Sequence, residues 1–423
     1  MTKLNFFATA VAALSTLAYA LPAASSSGIT LKITNADSAD IIPNSYIVVM
    51  NSSVSSEAID SYQSSIKSII AKRNIGKRDL SGLRILSTEV STMSMGTDGG
   101  WRCMTLDADD ATINAISDST EVAYVEANTI VRASVLLEQK NATPGLTRLS
   151  HASPNSRASN YVFDQSAGQG ITVYVVDTGV KSTHQEFGGR ATLAANFVDN
   201  SNTDGNGHGS HVSGTIGGTT FGVAKSATII GVKVLGADGS GSNAGVLKGL
   251  EFVAKDAVGK RAVMNMSLGG QRSNAVNAAV KQIAAIGVVP VVAAGNDAAD
   301  TAGTSPGSSP DAITVGAADV RDQIASFSNF GPDVDIFSEG VDVLSVGITS
   351  NTATKVLSGT SMASPHVAGL VAVLMSQDTS LNDKDAVLAK MQQLAGITKA
   401  SVKGITPAMG QTTTLIAYNG SGQ

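Results

Sequence analysis

The sequence predicts a doubly wound α/β domain with a mostly parallel sheet, preceded by a smaller α+β domain. Three observations carry this expectation. The runs Ile171 to Val176, Thr228 to Leu235, Ala262 to Leu268 and Val288 to Ala293 are almost continuously apolar, as strands buried on both faces are. Helical stretches such as Ser242 to Ala257 and Asn274 to Ile286 alternate with them, the order of βαβ units. The chain also carries 43 glycines in 423 residues, which suits close helix–strand packing and many tight turns.

The N-terminus has a different character. Lys3 supplies a short positive region, Phe6 to Leu17 is mostly apolar, and Ala18-Tyr19-Ala20 fits a small-x-small cleavage signal. Residues 1–20 are therefore expected to be a signal peptide, and the product to be secreted and extracellular. The apolar run is short for a bilayer span, and no later run reaches the ~20 residues required, so no membrane partner is expected.

From Ser45 a small domain begins. Tyr46 to Met50 reads as a strand, and Ile59, Ile66, Ile69 and Ile70 recur at helical spacing between Ser56 and Lys72. Trp101 to Leu106 is a second strand, Asp109 to Asp118 a second helix, and Val122 to Glu126 a third strand. These elements suffice for a small open sheet with helices on one face. No catalytic constellation occurs among them. Ala133 to Lys140 reads as a linker, which divides the rest into residues 21–135, with a core at about 45–132, and residues 136–423.

Composition excludes some functions. A mild formal net charge of −5 argues against nucleic acid as a partner. Cys103 is the only cysteine and cannot form an internal disulfide. Stability must then come from packing, aided by any bound metal. Asn-x-Ser/Thr sequons stand at Asn51, Asn141, Asn265 and Asn419, and the apolar strand around Asn265 argues against its use.

Three segments of the larger domain carry reactive groups: Val175-Val176-Asp177-Thr178-Gly179, Asn206-Gly207-His208-Gly209-Ser210-His211, and Gly359-Thr360-Ser361-Met362-Ala363. The first follows an apolar strand, and the others open helices. Such termini converge in the crevice outside the carboxyl ends of an open α/β sheet. A serine hydroxyl holds its proton at neutral pH. It needs a neutral imidazole to remove that proton and a carboxylate to orient the imidazole. Ser361, His208 and Asp177 supply these roles. Singly, each has a commoner reading as a turn former, packed side chain or helix cap. Jointly, coincidence is a poor explanation. His211 and His366 are expected only to pack or cap.

Competing chemistries fail on particular residues. An aspartic protease needs a second Asp-Thr-Gly or Asp-Ser-Gly, and none occurs. His208 and His211 lack the intervening Glu of a zinc protease helix. Cys103 belongs to the small N-terminal domain, so it is no nucleophile of the larger one. Acyl transfer also requires donors for an oxyanion. Asn296, in Ala293-Ala294-Gly295-Asn296-Asp297, follows an apolar strand, and the Ser361 N–H stands at a helix N-terminus.

These segments resemble the subtilisin-like serine proteases of peptidase family S8, particularly the fungal proteinase K branch, and share the chain order Asp, His, Ser of subtilisin. The similarity runs from about Asn141 to the C-terminus and includes Ser166-Ala167-Gly168-Gln169-Gly170 and Gly222-Val223-Ala224-Lys225. Residues 45–132 resemble the associated ferredoxin-like inhibitor propeptide. The resemblance implies a monomer that acts on proteins and peptides, with its own propeptide as intramolecular inhibitor removed by autocatalytic cleavage near residues 132–138.

By the same resemblance, Gly239, Ser240, Gly241, Ser267, Leu268, Gly269 and Gly270 would flank an extended substrate like neighbouring strands. Gly269, Gly270, Ala294 and Gly295 would leave room for a large P1 side chain. A broad endopeptidase favouring apolar or aromatic P1 residues is the expectation. A structural Ca²⁺ is also implied, held by the carbonyls of Pro310 and Ala312 and the carboxylate of Asp319. Ser210 and Ser213 depart from the usual Thr and Ala, and residues 136–423 contain no cysteine. A catalytically silent binding module and a narrowly specific processing protease rank below this reading, because Asp177, His208, Ser361 and Asn296 are all present and no acidic cluster selects basic P1 residues.

Overall fold

The computed structural model describes residues 33–35, 41–79, 84–95, 100–129, 135–154, 157–398 and 400–423. The expected signal peptide and residues 132–134 of the expected processing region lie outside the described residues. The chain divides into two compact units, residues 1–131 and 132–423.

The first unit runs β1 (Ile41–Met50), α1 (Ser56–Arg73), β2 (Ser91–Met95), β3 (Trp101–Asp107), α2 (Asp110–Ser117) and β4 (Val122–Thr129). Its antiparallel sheet has the order β2-β3-β1-β4, the arrangement of a ferredoxin-like βαββαβ unit. Both helices start at side-chain caps, where Ser55 accepts from Ala58 N and Asp109 from Thr112 N. Ile59, Ile66 and Ile70 pack with Val48, Met104, Leu106 and Ile113 in one core. The edge strand β2 was absent from the sequence expectation. Its Ser-Thr-Met-Ser-Met is exposed throughout, so it lacks the alternation that marks a half-buried strand.

The second unit contains β5 (Leu136–Lys140), α3 (Pro144–Ser150), β6 (Asn160–Asp164), β7 (Thr172–Asp177), β8 (Ala191–Asn196), α4 (His208–Gly217), β9 (Thr228–Lys233), α5 (Asn243–Asp256), β10 (Ala262–Met266), β11 (Gly270–Gln271) and α6 (Asn274–Ala285). It continues through β12 (Val288–Ala293), β13 (Thr304–Ser305), β14 (Ile313–Ala318), β15 (Ile336–Glu339), β16 (Val343–Val346), β17 (Thr354–Leu357), α7 (Thr360–Gln377) and α8 (Lys384–Thr398). The main sheet has the order β15-β14-β12-β10-β7-β9-β8, and its pairings are parallel. The apolar runs of the sequence are its central strands.

Their side chains divide between two cores. Val173, Val175, Val289 and Val291 face one layer with Val212 of α4 and Val367 and Val371 of α7. Tyr174, Val176, Val288 and Val292 face the other with Leu250 of α5 and Val280 of α6. A strand apolar at every position is thus a strand serving two helix layers. The strand order reverses beside β7, and the crevice lies at the carboxyl ends there. The linker expected at Ala133 to Lys140 is partly regular: β5 pairs antiparallel with β6, from Leu136↔Asp164 to Lys140↔Asn160.

Candidate active site

Asp177 ends β7 and is fully buried. Its Oδ1 accepts from the Thr178 N–H at 2.7 Å and lies 2.8 Å from His208 Nδ1, with Oδ2 3.0 Å from the same nitrogen. His208 is the first residue of α4, reached through Gly207 in the left-handed region at φ 96°. The close approach of α4 to β7 needs Gly209. A Cβ there would fall 2.2 Å from the Gly179 carbonyl oxygen. The pairing of the two side chains is therefore prepared by backbone contact.

Ser361 stands in the first turn of α7. Its hydroxyl donates to the Ser267 carbonyl at 3.1 Å, and among the described residues no hydrogen bond joins it to His208. Ser267 Oγ donates back to the Ser361 carbonyl at 2.9 Å and lies 2.8 Å from Ser364 Oγ. The end of β10 and the start of α7 are thereby tied together. The Ser361 N–H is near the positive end of the α7 dipole.

Asn296 follows β12 as expected, and its Oδ1 accepts from the Thr360 N–H and hydroxyl at 2.8 and 2.9 Å. Thr360 Oγ1 in turn accepts from the Gly295 N–H at 3.1 Å. The buried Asn329 holds the same loop. It donates to the Ala294 carbonyl and accepts from the Asp297 and Ala299 N–H groups. Gly295, at φ 108°, has Asn329 Nδ2 where a Cβ would lie, 2.3 Å away. Packing therefore requires that glycine, whatever space it leaves for substrate. Thr360 and Asn329 were not singled out from sequence. Thr360 is adjacent to Ser361, whereas no local signal marks Asn329, 33 positions beyond Asn296.

Electrostatics separates the histidines. Burial works against the His208 imidazolium, but the charge and hydrogen bond of Asp177, with a smaller contribution from Asp204, raise its pKa above the usual value. Burial lowers His211 and His366 to about 4. His211 Nε2 lies 3.0 and 3.1 Å from the Val343 and Lys355 carbonyls, and His366 Nδ1 lies 2.9 Å from the Met362 carbonyl. Both pack, as expected.

The segments expected to flank substrate follow the carboxyl ends of β9 and β10. Gly239, Ser240 and Gly241 form an exposed turn after β9, closed by Gly236 N–H to the Ser240 carbonyl at 2.8 Å. Ser267, Leu268 and Gly269 follow β10, while Gly270 pairs with Ser305 in the β11–β13 ladder. Ala294 is buried, its carbonyl taken by Asn329. The sequon Asn265 is fully buried in β10.

The expected calcium ligands do not converge. Pro310 and Ala312 precede β14, and Asp319 follows its far end. At about 3.3 Å per residue, Ala312 and Asp319 are on the order of 20 Å apart, whereas a Ca²⁺–oxygen bond is about 2.4 Å. The Pro310 carbonyl accepts from Lys384 Nζ at 3.2 Å. Asp319 Oδ1 accepts from the Arg321 and Gln323 N–H groups, both at 2.9 Å. The three groups cannot hold one ion. The resemblance that implied them carries no information on which end of β14 each group occupies.

The profile of the peptidase S8 subtilase family matches residues 168–411. The chain is 44% identical over 395 residues to subtilisin-like protease 3 of Trichophyton tonsurans, covering 92% of this chain and 94% of that protein. It is 43% identical over 392 residues to subtilisin-like protease 2 of Pseudogymnoascus destructans, covering 92% and 93%. A crystal structure of a cold-adapted subtilisin-like serine proteinase superposes with a TM-score of 0.58 at 40% identity, over 66% of this chain and 99% of the other.

Proposed function

The chain belongs to the subtilase family of serine proteases, and on that premise we propose a secreted, broadly specific endopeptidase with Ser361 as nucleophile. His208 takes the Ser361 proton as the hydroxyl oxygen bonds to the peptide carbonyl carbon. Asp177 fixes the tautomer by accepting from Nδ1 and stabilises the imidazolium that forms. The Asn296 amide and the Ser361 N–H stabilise the oxyanion of the tetrahedral intermediate. Collapse of that intermediate breaks the C–N bond, and His208 delivers its proton to the departing amine. Water, deprotonated by His208, then releases the acyl group and restores Ser361.

The observation that carries this reading is the pairing of His208 Nδ1 with the buried Asp177 carboxylate at 2.8 and 3.0 Å. That contact leaves Nε2 for the nucleophile's proton. An extended substrate lying between 239–241 and 267–269 would be held by its main chain, which supports tolerance of sequence. The small residues Gly269 and Gly270 support a preference for apolar or aromatic P1 groups. Residues 21–135, which contain the β2-β3-β1-β4 sheet, would act as the propeptide, and cleavage near 132–138 would release the enzyme.

Intact masses of the secreted wild type and of Ser361→Ala test the proposal. The wild type should lose residues up to the 132–138 region and hydrolyse a chromogenic peptide until a serine-directed covalent inhibitor stops it. Ser361→Ala should retain the N-terminal unit in covalent linkage. Equal cutting of both would assign maturation to another protease, and an inert, unlabelled wild type would sink the enzymatic proposal.

A further inference from the structure

We infer that Asp204 is a positioning residue for His208: its buried carboxylate, at the end of a loop braced by Lys233, fixes the turn from which the imidazole projects. This rests on the proposed role of His208 as the proton-transfer group.

Asp204 Oδ1 accepts from Thr178 Oγ1 at 2.9 Å and from the N–H groups of Asn206 and Gly207 at 3.1 and 2.8 Å. Oδ2 accepts from the Ser210 N–H at 2.9 Å and the Ser210 hydroxyl at 2.6 Å. These contacts saturate the acceptor capacity of a carboxylate. They also bracket His208 from both sides along the chain. Thr178, the residue after Asp177, accepts from the Gly209 N–H at 2.8 Å. One carboxylate thus ties the backbone around both members of the Asp177–His208 pair, and it satisfies orphan N–H groups at the start of α4.

The loop before Asp204 is held by a second buried charge. Lys233 ends β9, and its ammonium donates to the Thr203 and Ser201 carbonyls at 3.1 and 3.4 Å and pairs with Asp199 at 3.0 Å. A buried ammonium is costly unless partnered, and these partners lie in the segment leading to Asp204. An ordinary helix cap would explain one or two of the Asp204 contacts. It does not explain the hydroxyl of Thr178, which follows β7.

The test uses the full-length chain, with kcat counted per active site by titration with the serine-directed inhibitor. Asp204→Asn should lower kcat about 10- to 100-fold, as misplaced catalytic groups do, with KM for the peptide little changed. The acid limb of its kcat/KM profile should move to lower pH, because the charges facing His208 are then Asp177 from β7 and Lys355 from β17, with His211 uncharged on its own helix. Lys233→Met, which keeps the apolar stem, should lower kcat in the same sense by a smaller factor. A role confined to stability would reduce the melting temperature and leave kcat and the acid limb at wild-type values, and that result overturns the inference. Should Asp204→Asn fail to fold, a wild-type kcat in Lys233→Met overturns it instead. Wild-type protein that neither turns over the peptide nor takes up the inhibitor would defeat the protease reading itself, a distinguishable failure.

Discussion

Asn296 and Thr360 lock the loop after β12 to the helix carrying Ser361, through two hydrogen bonds into Asn296 Oδ1 at 2.8 and 2.9 Å. These bonds commit the amide oxygen to Thr360, so the nitrogen is the group of Asn296 that would serve as oxyanion donor. The two proposed oxyanion donors, Asn296 and the Ser361 N–H, are thus tied to each other through Thr360.

Asn296→Ala should lower kcat by about 100- to 1,000-fold, a magnitude taken from loss of one such donor in subtilisin itself, with KM little changed. Thr360→Val removes the hydroxyl that bonds Asn296 and Gly295 but keeps the backbone contact. Its kcat should fall by a smaller factor, again with KM preserved. Steady-state kinetics on a peptide chromogen decides, and an unchanged kcat in Asn296→Ala would remove that residue from the oxyanion role.

The acid limb of kcat/KM should show a single ionisation, above the usual imidazole value of about 6.5. His208 must be neutral to accept the Ser361 proton, and its pKa is raised by Asp177 against the opposing effect of burial. Activity is therefore lost as pH falls through that raised value. His211 and His366, held near 4 by burial, are already neutral and add no second step. A limb of slope two would contradict this assignment.

Glu339 should make the folded state less stable as pH rises from the usual glutamate range to about 8. Its carboxyl is pushed up to about 8 by burial first, then by Asp319 and Asp322, and Oε2 meets no partner among the described residues. Between those limits the unfolded chain releases a proton that the folded one keeps, so stability present at low pH is lost as pH climbs. Glu339→Gln should gain on the order of a few kcal/mol over wild type near pH 8 and much less near pH 5. Equal melting differences at both pH values would refute it.

Asp319 should be irrelevant to any effect of calcium on stability. Its carboxylate serves the turn through Gln323, far from Pro310 and Ala312. Asp319→Asn should therefore show the same change in melting temperature on adding EDTA or Ca²⁺ as wild type. A calcium response lost only in the variant would place the ion at Asp319 after all.

Much of the architecture was legible because its signals are local. Strands buried on both sides must be apolar at nearly every position, so Thr172–Asp177 and Val288–Ala293 announce themselves. Asp177, His208, Ser361 and Asn296 each sit in a short segment where a strand ends or a helix begins. The exposed strand Ser91–Met95 had no such signal, because its place is set by pairing with β3.

The sequence alone therefore determined the α/β class, the order of elements and the chemical groups of the proposed site, since each depends on periodicity or on a few adjacent residues. Tertiary structure decided which distant groups share a space. It separated Ala312 from Asp319 by the length of a strand, although they are close in sequence. It brought Asn329 to Asn296, Asp204 to Thr178 and Lys233 to the loop before His208. Those partnerships depend on how strands are ordered and how closely helices approach them, and hydrogen bonds across such crossings leave no period in the chain.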